Sequence, residues 1–314
     1  MLSAKFKKTF LNYFWRIALT IALLYVVFRQ INLVDLWQRL QSTNPLALVI
    51  FLLGEFLLTY LTSIRWAVLV VPSPSKKDIK AFFKATMLGL FYNLFMPSGM
   101  GGDLVKWTAL TDLKISKSKL VFTMLLDRLM GMFGLIVLGF VGVLLMQFYG
   151  VANAPTPVLW LFVALFVGTV ALFFFIYSPL QLKHLPLIRR VKPLLKIEDY
   201  LAENKNAFVQ AFILGILIQL IWLVIVYVLA QAVGFTTGWW QFFCIQPVVN
   251  LVTALPISFA GFGITEVGFM YFYQQLGQES SAIVALTALL GVFRILMGFF
   301  GWLVGMIGEK KQIA

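Results

Sequence analysis

The chain has 314 residues, of which 61% are hydrophobic and only 12% charged, about half the charge of an ordinary soluble domain. That excludes a water-solvated globule of this size and makes the bilayer the solvent for most of the chain. The net charge of +13 suggests a nucleic-acid partner, but the lysines and arginines sit in short loops beside apolar runs, as the positive-inside rule requires, so no nucleic acid is expected. Cys244 is the only cysteine and His184 the only histidine, which excludes an intrachain disulfide, a Cys/His metal centre and a Cys–His catalytic pair.

Lys5, Lys7, Lys8 and Arg16 precede the first apolar run, and no small-residue cleavage site follows Val27, so a retained anchor is expected rather than a cleaved signal peptide. Six segments are long enough to span: 12–28, 45–71, 120–148, 158–177, 207–233 and 282–307. Two more apolar stretches, 81–96 and 242–255, are too short to cross comfortably, and each runs into a proline followed by glycines. The first continues as Met96-Pro97-Ser98-Gly99-Met100-Gly101-Gly102-Asp103, the second as Leu255-Pro256-Ile257-Ser258-Phe259-Ala260-Gly261-Phe262-Gly263-Ile264-Thr265-Glu266. Both are expected to be re-entrant hairpins broken at mid-depth.

A hairpin that enters and leaves by one side does not change the count of crossings, so charge placement tests this arrangement. With a cytoplasmic N-terminus, Lys76, Lys77, Lys80, Lys84, Lys106, Lys114, Lys117, Lys119, the cluster from Lys183 to Lys205, Lys310 and Lys311 all fall inside, leaving Arg29 and Arg39 outside. Both termini are then cytoplasmic, in the cell membrane. The first hairpin dips from the cytoplasmic side and the second from the outer side, making residues 1–150 and 151–314 inverted halves of a single transmembrane domain. Each broken segment is followed by a span with an arginine: Asp103 precedes Arg128 by 25 positions and Glu266 precedes Arg294 by 28. The segment 180–206, basic and proline-containing, fits either a surface-lying helix or a solvated loop.

An ionisable side chain at the bilayer centre costs at least ~2.5 kcal/mol, so each one retained there calls for a named partner or a function. Glu55 and Arg65 lie in the second span, Asp127 and Arg128 near the cytoplasmic end of the third, Arg294 in the last, and Asp103 and Glu266 directly after the breaks. Half-helix ends at such breaks offer free N–H groups and positive dipoles to a phosphate, and paired broken helices point to a central transport site between residues 97–103 and 256–266. There Gly101, Gly102, Gly261 and Gly263 shape the backbone, Arg128 and Arg294 are expected to bind an anionic phosphate, and Asp103 and Glu266 a cationic group or a proton. The bland alternative is mutual neutralisation that locks the hairpins to neighbouring spans. Asn93 and Asn250, each shortly before a break, are expected to satisfy backbone groups that the prolines free. No nucleotide loop, nucleophile elbow or metal motif is present, so no catalytic residue and no cofactor are expected.

The set Pro97-Ser98-Gly99-Met100-Gly101-Gly102-Asp103, Asp127-Arg128-Leu129-Met130-Gly131, Pro256-Ile257-Ser258 and Gly261-Phe262-Gly263 with Glu266 resembles the transmembrane family of lysylphosphatidylglycerol synthases, which includes stand-alone flippase-like proteins. The resemblance covers essentially the whole chain. It implies movement of an anionic or aminoacylated phospholipid, or another lipid intermediate, between leaflets. Full-length synthases add a soluble domain that transfers lysine from its tRNA; the seven residues after the last span hold no such domain, so synthase activity is not expected. Two other classes stay open: a membrane-embedded lipid-modifying enzyme using Asp103 or Glu266 as base, and a scaffold holding a lipid-synthesis enzyme at the loop from Lys183 to Lys205.

Overall fold

A computed structural model describes residues 21–27, 29–95, 101–110, 113, 115–149, 156–177, 204–253 and 263–309. The bulk of the first expected span, the Pro97 and Pro256 breaks, Gly261 and the loop 180–203 lie outside the described residues. Among the described residues there is no strand, and the fold is all-α. After a helical stretch at 21–27 come α1 (Leu33–Ser42), α2 (Pro45–Val70), α3 (Lys76–Phe95), α4 (Gly101–Thr108), α5 (Lys117–Tyr149) and α6 (Thr156–Tyr177). They are followed by α7 (Lys205–Ala232), α8 (Trp239–Thr253), α9 (Ile264–Gln274) and α10 (Ser280–Glu309).

Local chemistry sets the helix starts. Asn32 and Asn44 cap α1 and α2 by accepting from the amides of Val34 and Leu46, both at 2.9 Å, and Pro45 opens α2, where its missing N–H costs nothing. Before α3, Ser75 and Asp78 cap each other: Asp78 accepts from the Ser75 amide at 2.9 Å and Ser75 Oγ from the Asp78 amide at 3.2 Å. The Ser75 hydroxyl, which donates to Asp78 Oδ2 at 2.6 Å, and then the Ser75 amide hold the Asp78 carboxyl below the usual carboxylate range. The helix therefore begins before the apolar stretch, and Lys76, Lys77, Lys80 and Lys84 all lie on it.

Four of the described helices are long and apolar enough to cross a membrane: Pro45–Val70, Ser118–Phe148, Lys205–Ala232 and Ser280–Met306. At 1.5 Å per residue, the 26 residues of α2 reach about 39 Å, enough for a hydrocarbon core with some tilt. The 15 residues of α8 reach only about 22 Å, as expected of a segment that turns back. On α2, Leu46, Val49, Leu53 and Leu57 are exposed along one stripe. In water that stripe would be a liability; in lipid it is the correct outer face.

The two helix pairs around the breaks enter the bundle from opposite ends. Helix α3 starts where α2 finishes, and α4 returns beside it, with Trp107 and Leu110 packed near Trp66, Val70 and Phe82 at the lysine-rich end. At the other end, the rings of Phe235, Phe242 and Phe269 all meet that of Tyr273, and Gln278 binds Thr236 through two hydrogen bonds, so α8 goes in and α9 comes out at the end where α1 packs on α10. Helix α3 lies on α10, and α8 lies on α5. Glycines permit both approaches. A Cβ at Gly301 would collide with the Met87 carbonyl of α3, and one at Gly142 would stand 2.7 Å from the Cys244 carbonyl oxygen of α8.

Since Gly301 faces backbone and Gly168 faces open space, Gly301→Val is expected to destabilise the purified protein by about 1–3 kcal/mol, whereas Gly168→Ala is expected to change little. Thermal unfolding in detergent, followed by fluorescence, checks the pair.

Candidate functional site: charged groups inside the bundle

Of the residues singled out above, the first group forms where α4 meets α3 and α5. Asp103 on α4 receives Arg128 of α5, Nη2 to Oδ2 at 2.5 Å, and Lys106 of its own helix at 3.3 Å. Lys106 stands 5.9 Å from the Trp66 ring centre, a cation–π distance. The Gly102 amide donates to Asn93 Oδ1 at 2.9 Å, so the asparagine satisfies a first-turn amide of α4; the groups freed by Pro97 lie outside the described residues. A Cβ on Gly102 would collide with the Gly89 carbonyl and come within 2.6 Å of Asn93 Oδ1, which is why this crossing takes glycine. The Arg128 side chain is 45% exposed, so this pair sits toward an edge of the bundle.

Beside it, and more deeply buried, Arg65 of α2 donates from Nε to Asp127 Oδ1 of α5 at 2.6 Å. Asp127 thus pairs across to another helix and not with its neighbour Arg128. Gly131 leaves room for the guanidinium: a Cβ there would lie 3.3 Å from Arg65 Nη1. On the far side, a Cβ on Gly215 of α7 would be 2.6 Å from the Met130 carbonyl oxygen.

The second group lies deeper. Arg294 of α10 interacts electrostatically with both Glu55 of α2 and Glu266 of α9. Ten positions along α2 separate Glu55 from Arg65, about 15 Å. The sequence-predicted residues are therefore divided between two levels, with Glu55, Glu266 and Arg294 at one and Asp103, Arg128, Arg65 and Asp127 at the other. Glu266 is buried, and its Oε2 accepts from the Gly263 amide at 2.6 Å, closing the start of α9 where Gly263 takes φ +85°. Near the end of α3, Leu94 packs on Gly298, one turn beyond Arg294, so both hairpins converge on the level of that arginine.

Accessibility around Arg294 is informative. The lipid stripe of α10 runs through Val292, Ile295, Leu296, Phe299 and Trp302, all exposed. At 100° per residue Arg294 points away from that stripe, toward the side of buried Leu290 and Met297, yet Arg294 is itself exposed. Glu55 likewise lies opposite the exposed stripe of α2 and keeps part of its surface accessible. Arg294 and Glu55 are thus accessible on the sides of their helices turned away from the lipid stripes.

Sequence reasoning missed a polar chain in the second hairpin. Tyr273 Oη donates to Gln246 Oε1 at 2.6 Å, and Gln246 Nε2 donates to Asn250 Oδ1 at 2.7 Å. Gln246 and Asn250 are four residues apart on α8, flanking Pro247, and that spacing beside an intrahelical proline was the available signal. Gln219 was missed too; it donates to the Gly131 carbonyl at 3.3 Å. Among the described residues no cluster of His, Cys, Asp and Glu could hold a metal ion.

Membrane-length helices, lipid-facing apolar stripes and charges turned inward define a multi-pass α-helical membrane protein. Its sequence matches the profile of the lysylphosphatidylglycerol synthase TM region over residues 13–305, and the chain belongs to that family, a membrane protein related to lipid handling. No curated protein matches it.

Breaking the Arg65–Asp127 pair leaves a buried charge without a partner, so Asp127→Asn or Arg65→Ala is expected to cost about 3 kcal/mol of stability. Arg128→Ala, at an exposed pair, is expected to cost less than about 1 kcal/mol. Chemical denaturation of the three variants in one detergent gives the comparison.

Proposed function

We propose that the protein is a lipid flippase or transporter that moves an anionic or aminoacylated phospholipid, or another lipid intermediate, between leaflets. The observation that carries this is Arg294, exposed on the packed face of α10 and within electrostatic reach of both Glu55 and Glu266. A guanidinium placed there suits a phosphodiester, and the two carboxylates suit an ammonium group on the same headgroup. Acyl chains would remain in lipid along the exposed stripes while the headgroup passes these charges. Arg128 and Lys106, nearer the bundle edge, would meet the phosphate on entry.

In this proposal residues 1–150 and 151–314 are inverted halves, and both termini are cytoplasmic. Support comes from the opposite entry of the two hairpins and from the exchange of partners, α3 on α10 and α8 on α5. Lys76, Lys77, Lys80, Lys119 and Lys205 share one end, which the positive-inside rule assigns to the cytoplasm. The α1 end is then the outer one.

Purified protein in liposomes carrying fluorescent anionic and aminoacylated phospholipids, read with an outer-leaflet quencher, tests the proposal. Wild-type protein is expected to exchange label between leaflets. Arg294→Ala and Glu266→Gln are each expected to slow exchange by about tenfold or more, and Glu266→Gln is expected to do so while unfolding at the wild-type temperature, since a glutamine side chain can still accept from the Gly263 amide and no core volume is removed. Wild-type liposomes that exchange no faster than empty ones, with or without a proton gradient, would overturn it.

A further inference from the structure

At the outer end a single side chain ties three segments together. Arg39 of α1 donates from Nε to Asp35 Oδ2 and to Ser281 Oγ, both at 3.1 Å, and from Nη1 to the Val233 carbonyl at 3.4 Å, while Nη2 pairs with Glu279. Its partners therefore lie on α1 itself, in the α7–α8 linker and at the α9–α10 turn. The hydrogen bonds between Gln278 and Thr236 join that linker to that turn directly and close the ring of ties. Asp35 stays ionised beside the arginine, because Ser281 and then Arg39 hold its carboxyl below the usual carboxylate range.

We propose that this Arg39 clasp is the outer gate of the bundle, an inference that rests on the transport function above and names its control point. Next to the clasp, Phe235, Phe242 and Phe269 close around Tyr273, with Phe269 one turn from Glu266 on α9. Two helices lead from the clasp toward the charged group: α9, 11 residues and about 16 Å long with Glu266 in its first turn, ends at the turn that carries Glu279, and α10 runs from Ser281 to Arg294. A tilt of α9 on release would separate Glu266 from Arg294 and open the aromatic layer together.

Both linkers carry a glycine in the left-handed region, Gly234 at φ +95° next to the Val233 acceptor and Gly277 at φ +74° two residues before Glu279. Such positions absorb backbone rotation when a short helix swings. The outermost tie of the clasp, to the exposed Glu279, is a surface ion pair that costs little to break compared with separating apolar helix faces. On the far side of α1, Leu33, Val34 and Trp37 are exposed, which keeps α1 seated at the membrane interface while the turn moves.

The test begins with a distance that needs no transport. In a Cys244→Ala background, spin labels at Gln41→Cys on α1 and Gln275→Cys beyond α9, both exposed sites, report the separation of the two segments in liposomes by pulsed electron spin resonance. One short distance is expected with the clasp intact. Arg39→Ala and the surface change Glu279→Gln are each expected to add a longer population, and Gln38→Ala, at an exposed residue outside the clasp, is expected to leave the short one alone. A second arm joins Arg39→Cys to Glu279→Cys with a reducible bifunctional thiosulfonate. Leaflet exchange is expected to fall about tenfold and to return on reduction. Unchanged distances in both clasp variants, or undiminished exchange under the cross-link, would overturn the gate. No exchange in the uncross-linked protein would count against the transport function instead, and the distances would still decide whether the clasp moves.

Discussion

Hydrocarbon offers no hydrogen bonds, so a backbone or side-chain polar group carried into it must find its partner within the protein. Much of the chain's detail follows from that constraint. Where α4 and α9 begin after a break, the exposed first amides are met by Asn93 and Glu266. Inside the spans, Thr59, Ser63, Thr86 and Thr169 turn their hydroxyls back onto carbonyls four residues earlier. Arg65 and Asp127 are admitted as a pair, and Tyr273, Gln246 and Asn250 as a chain.

Once polar groups are satisfied, helices attract each other in lipid mainly through close packing, and small residues decide where this happens. Gly54 against Ile225, Gly134 against Gly215, Gly142 against Cys244 and Gly301 against Met87 bring α2 to α7, α7 to α5, α5 to α8 and α10 to α3. These contacts hold the two hairpins at fixed depth beside the spans, and so hold Glu266 and Arg294 near Glu55. The grouping of these charges is thus a consequence of the packing and not an insertion into it.

The spans 45–71, 207–233 and 282–307 were legible to within a few residues because long uninterrupted apolar runs have few other uses. Helices α4 and α8, of 8 and 15 residues, are as short as the prolines and glycines suggest, whereas α3 reaches 20 residues because Ser75 and Asp78 start it before Lys76. Partnership was not, because Arg65 and Asp127 are 62 positions apart and meet only through the crossing of α2 and α5. Arg39 read from sequence as one of two charges left outside; its partner Ser281 is 242 positions away. The single central site expected between the two breaks is divided in the structure, since Asp103 is taken by Arg128 and Lys106 while Glu266 faces Arg294 with Glu55. The depth of a charge along a helix was readable, but the azimuth that decides its neighbour was not.

The account depends most on two hairpins that enter from opposite faces of the membrane. In a Cys244→Ala protein, single cysteines at Lys80 on α3 and Gln275 beyond α9, both exposed, can be offered an impermeant maleimide from one side of oriented vesicles at a time. The account predicts that Gln275→Cys reacts only from the outside and Lys80→Cys only from the cytoplasmic side. Labelling of both from the same side would contradict it.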